Sequence, residues 1–184
     1  MKGIIVKVKK ISIILFLIIA FFIVFFLQAN IFQIFTIGGI MPNLFILFIL
    51  FIGLYTNITM GVSFGVICGI IIDLIYSKNV GITAIMLCII GYLGAYFDTN
   101  FSKENKLTII IIGAIATAIY EIGYYALNVI IFQFDAEIIY FIKILLIELL
   151  YNTLITIIIY PIIQKAGFAI DRNFKKDNIL TRYF

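Results

Sequence analysis

Apolar residues in this chain run on without the polar interruptions of an ordinary amphipathic helix. One run begins after Lys10 and extends to about residue 29; others cover about 42–56, 60–76, 80–97, 107–132 and 138–163. A helix crossing a hydrocarbon core of about 30 Å needs about 20 such residues. The pattern predicts an all-α, polytopic membrane helix bundle of about six transmembrane helices. The second run is the exception. At 1.5 Å per residue its apolar stretch covers only about 20 Å. Gln33 and the pair Gly38-Gly39 break the sequence before it. It is expected to reach back through those glycines, or to be a short, broken or tilted helix. Pro42 at its start suits a first helical turn.

Polar residues collect between the runs. Residues 98–106 (DTNFSKENK) form the clear internal polar loop, residues 133–137 a short acidic turn, and residues 164–184 a basic tail. Cytoplasmic segments of membrane proteins carry an excess of Lys and Arg. With six spans, eleven of the 13 basic residues fall on one side: Lys2, Lys7, Lys9, Lys10, Lys103, Lys106, Lys165, Arg172, Lys175, Lys176 and Arg182. Lys78 lies opposite, and Lys143 near the outer end of the last span. Five spans would move the basic tail outside. The expectation is therefore one transmembrane domain over 1–184, with cytoplasmic N- and C-termini. The basic start is shared with signal peptides, but the apolar run is longer than theirs and ends in Gln-Ala-Asn-Ile, so a retained helix is expected.

Composition sharpens the class. The chain is 65% hydrophobic and 12% charged, against about 45–50% and about 25% in soluble domains. That excludes a soluble globular domain, a disordered chain and a nucleic-acid-binding module. There is no histidine, which removes Ser-His-Asp and Cys-His chemistry, imidazole zinc sites and haem ligation through imidazole. Cys68 and Cys88 sit in apolar runs without a CxxC spacing and read as small buried side chains. No phosphate-binding GxxxxGK loop and no convincing internal repeat are present. Neither a catalytic residue nor a cofactor or metal site is expected.

A charge at mid-bilayer costs about 2.5–3.5 kcal/mol on insertion scales, so titratable residues inside spans stand out. Gly61, Gly65, Gly69 and Asp73 recur every four residues. Small residues at that spacing let another helix backbone approach, which marks a packing face or a partner interface ending in a carboxylate. Glu121, with Thr117 and Asn128 near its face, and Glu148, with Asn152 and Thr156 at four-residue steps, form two polar stripes. These could meet in an intramembrane network of Glu121, Asn128, Glu148 and Asn152, or form a binding site. Both glutamates are expected to be largely protonated, having no basic residue at matching depth. Lys143 is expected to snorkel outward. The aromatic residues read as lipid-packing Phe and interfacial Tyr.

The order Pro42-Asn43-Leu44, then Gly61-x-x-x-Gly65-x-x-x-Gly69-x-x-x-Asp73, then Val80-Gly81-Ile82-x-Ala84, then Gly91-Tyr92-Leu93-Gly94 resembles the MreD family of rod-shape-determining membrane proteins. The last span, with Leu150 to Leu154 and Tyr160-Pro161, is similar to that family's C-terminal helix. The resemblance implies a non-catalytic part of the bacterial cell-wall elongation machinery in the cytoplasmic membrane. Its implied partners are an MreC-type protein and, through it, the wall-elongation enzymes; nucleic acid is not among them. It also marks Pro42, Gly65, Gly69, Asp73, Gly81 and Asn152 as structural or partner-facing positions. A substrate-binding subunit of an energy-coupling-factor vitamin transporter is the alternative, and a proton-coupled carrier using Glu121 and Glu148 a third reading. The vitamin reading needs an outer cavity lined by polar groups, and the outer loops here are short and poor in donors.

Overall fold

The computed structural model describes residues 2–77, 80–101, 103–133 and 137–174. Lys78 and Asp135, and Lys175, Lys176 and Arg182 of the expected tail, lie outside them. Six α-helices follow one another: α1 (Lys2–Phe26), α2 (Leu44–Tyr55), α3 (Ile58–Tyr76), α4 (Ile82–Asn100), α5 (Lys106–Phe132) and α6 (Ile138–Phe174). Among the described residues there is no strand. Five of the helices are long and apolar enough to cross a membrane, and α2 is shorter. The molecule is a multi-pass membrane protein.

Helix α2 explains the architecture. Its 12 residues extend only about 18 Å. It does not reach back through the glycines. Gly38 and Gly39 instead adopt positive φ values of 60° and 82°, and Ile37 and Ile40 exchange backbone hydrogen bonds of 3.0 and 3.1 Å across them. That tight turn returns the chain before Pro42. Every residue of α2 except Phe48 is buried, as expected of a helix apolar on all sides. It packs against each of the other five helices.

The glycine stripe faces inward. A Cβ on Gly61 would meet the Gly91 carbonyl, one on Gly65 the Leu87 carbonyl, and one on Gly69 the backbone of Ala84. Gly91 meets Gly61 in return, and Gly53 and Gly94 allow the same approach between α2 and α4. The partner of the small-residue face is thus α4 of the same chain. Close backbone contact replaces side-chain interdigitation in this three-helix layer.

The outer helices are inverted relative to soluble ones. On α6, Ile142, Leu146, Leu150, Leu154, Ile158 and Ile162 are exposed, whereas Glu148, Asn152 and Thr156 are buried. On α1, Ile11, Leu15, Ile19, Phe22 and Phe26 are exposed. These apolar stripes face lipid and the polar ones face protein. Helix α6 continues past Pro161 to Phe174, so the segment expected as a tail begins as helix. There Lys103 pairs with Asp98 at 2.8 Å and Asp171 at 2.9 Å. Its Nζ lies 5.2 Å from the Tyr55 ring centroid. This ties the ends of α2, α4 and α6 at the end of the bundle that holds the start of α1.

Gly65→Ala is expected to lower stability in detergent by about 1–3 kcal/mol, because the new methyl must displace backbone. Cys88→Ala, a change near the same interface that adds no bulk, serves as the control. Thermal unfolding of both purified variants measures the difference, and equal midpoints would remove the close-packing account.

Candidate functional site

Polar side chains concentrate at the opposite end, where α2 and α4 begin inside the molecule. A helix start leaves amide N–H groups unpaired, and a buried one must find acceptors. Helix α1 ends in a π-helical turn, Leu27–Ile31, and Gln28 in that turn is buried. Its Nε2 donates to the Pro42 carbonyl at 2.7 Å, and its Oε1 accepts from the Leu44 amide at 3.0 Å. The Asn43 amide donates to Asn152 Oδ1 at 3.0 Å. Asn152 Nδ2 donates in turn to Thr117 Oγ1 at 3.1 Å, which joins α2, α5 and α6 through one fully buried side chain.

Helix α4 is served by Asp73. Its Oδ2 accepts from the Gly81 amide at 2.7 Å and the Ala84 amide at 3.3 Å. A carboxylate at a helix start also meets the positive end of the helix dipole. Gly81 at φ 116° takes a backbone shape that residues with a side chain adopt only at a cost. Asp73 is completely buried. The glycine stripe therefore ends in a cap for α4.

Glu121 and Glu148 are brought together from α5 and α6. Both are buried and line the same space. Asn128 does not join this cluster; its Nδ2 donates to the Tyr124 carbonyl of its own helix at 2.7 Å. Pro42 is a hydrogen-bond acceptor for Gln28 in the extended segment before α2 and lies outside the helix.

Glu121, Glu148 and Asn128 share the wall of a cavity of about 800 Å³. Gln28, Asn43, Thr83, Tyr120, Tyr124 and Tyr125 are among its other polar lining residues. Tyr76 and Tyr140 in the wall are exposed, so the cavity opens to the surface. The scarcity of donors in the outer loops does not carry over to this space, because helices α4, α5 and α6 and the π-helical turn supply most of its polar groups. Gln28, Thr83 and Tyr120 were not marked by the sequence pattern. The signal present was a lone Gln closing the first apolar run and a Tyr beside Glu121. Lys143 is exposed, with its ammonium against Gly38. Among the described residues, no three of His, Cys, Asp and Glu gather as a metal site.

A family profile described as rod shape-determining protein MreD matches residues 9–166. No curated protein and no solved structure matches the chain.

Gln28→Leu should destabilise the protein by about 1–3 kcal/mol, because it leaves the Leu44 amide buried without an acceptor. Gln28→Glu, which keeps an acceptor there, should lose less; thermal unfolding in detergent compares them. The carboxyl pair should give a protonated-carboxyl band in the infrared spectrum at neutral pH that is absent from the Glu121→Gln/Glu148→Gln double variant. A spectrum with both groups ionised would contradict that expectation.

Proposed function

The chain belongs to the MreD family of rod shape-determining proteins, and from that membership we propose a non-catalytic scaffold or regulator of lateral wall synthesis. In this reading it acts in the bacterial cytoplasmic membrane with an MreC-type protein, and through it with the wall-elongation enzymes. The observation that carries the proposal is the extent of the family match, which takes in α2 to α5 whole and most of α1 and α6. The form of the molecule supports it. The described connections between helices are short, so partner contact falls on lipid-facing helix surfaces and the termini. The glycine stripe is already occupied by α4, which leaves the exposed faces of α1 and α6 as the larger free apolar surfaces. The basic residues Lys9, Lys10, Lys103 and Lys106 support cytoplasmic termini under the positive-inside rule.

An affinity-tagged full chain, extracted from native membranes in mild detergent, should recover an MreC-type protein and wall-elongation enzymes, identified by mass spectrometry. Depletion of the chain should convert rod-shaped cells to rounded ones. Recovery of an ATPase pair with a coupling membrane subunit, and unchanged cell shape on depletion, would instead favour the vitamin-capturing subunit.

A further inference from the structure

We propose that the polar cavity between the π-helical turn, α5 and α6 binds a small organic cation, an ammonium group on a compact apolar or aromatic body. At about 800 Å³ it falls within the range of small-molecule sites, about 300–1,000 Å³. Its chemistry selects the charge of the occupant. Among the described residues the wall contains two carboxyl groups and no Lys or Arg. An anionic ligand would find no counter-charge there. An ammonium group beside two carboxyl groups favours their ionised form and is neutralised by it.

The aromatic lining fits the same occupant. The Tyr120 and Tyr124 rings stack at 5.8 Å with 12° between their planes, and Tyr125 stacks on Phe141 at 4.2 Å and 19°. Ring faces attract ammonium groups, and more strongly when water is excluded. Tyr125 Oη and Asn43 Oδ1 are buried without a hydrogen-bond partner, and both residues line the cavity. They provide acceptors for a ligand rich in N–H groups.

The glutamates also lack a structural task of the kind their neighbours perform. Gln28, Asn152 and Asp73 each satisfy amides at a buried helix start. Glu121 and Glu148 line the cavity instead. Placing two carboxyl groups in a membrane interior is costly, and capping does not account for it.

The ammonium group can come from the headgroup of an aminophospholipid or from a soluble amine, and one experiment separates them. Titration calorimetry on the detergent-purified full chain uses phenethylamine and its neutral counterpart phenethyl alcohol. Phenethylamine is expected to bind saturably, with the alcohol weaker by about tenfold or more, the ratio that about 1.4 kcal/mol of charge recognition gives. The Glu121→Gln/Glu148→Gln double variant should lose that preference. Val129→Trp, which fills the space and leaves the carboxyl groups in place, should lose binding and guards against a misfolded double variant. Repeating the titration in nanodiscs assigns the source. Loss of affinity in phosphatidylethanolamine discs, compared with phosphatidylglycerol discs, assigns the headgroup, and equal affinity assigns a soluble amine. Equal affinity for amine and alcohol, no saturable binding of either, or amine binding unchanged by Val129→Trp would overturn the proposal. None of these outcomes depends on which proteins the chain recruits.

Discussion

A helix that starts in the interior of a membrane protein must bring acceptors to its first amides, because neither lipid nor packed side chains supply any. Helix α2 is such a helix. It is too short to present its ends to water on both sides, and its N-terminal amides at Asn43 and Leu44 are met by Asn152 and Gln28. That requirement places a π-helical turn at the end of α1, a fully buried Asn on α6 and a Thr on α5 in one layer. The same constraint acts on α4, where Asp73 accepts two amides. Much of the polar chemistry in the molecule originates in these two buried helix starts.

The rest of the bundle is organised around α2. Because it touches every other helix, a change at its first turn is felt throughout. Its neighbours α3 and α4 are held by backbone approach at glycines rather than by interlocking side chains, which leaves no room for even a methyl group at Gly61 or Gly65. Outside this layer, α1 and α6 offer Ile, Leu and Phe to lipid. A soluble protein gains from hiding such faces, but in a bilayer they cost nothing to expose. They remain free for contact with other membrane helices.

The helices and their approximate limits were legible because uninterrupted hydrophobicity is dictated locally by the solvent. The order of Gly61, Gly65, Gly69 and Asp73 was also readable as a packing face. Its partner was not, since a stripe of small residues has the same appearance whether the opposing helix belongs to the same chain or another. The length of α2 was ambiguous because the glycine pair at 38–39 could continue a helix or turn it, and only positive φ at both positions decides. Gln28 could not be separated from an ordinary interfacial residue. Its role depends on the widening of one helical turn and on where residue 42 returns. The meeting of Glu121 and Glu148 was an open possibility in the sequence, because spacing along each helix gives a face but not what lies across from it.

Asn43 links the two kinds of polar group in this layer. Its backbone amide belongs to the cap of α2 through Asn152, and the residue lines the same cavity as the carboxyl pair. Glu148 and Asn152 lie one turn apart on α6, so the cap and the pair are successive rungs of one helix face. The cavity and the first turn of the central helix therefore share a wall residue, and the polar interior reaches the helix against which the other five pack.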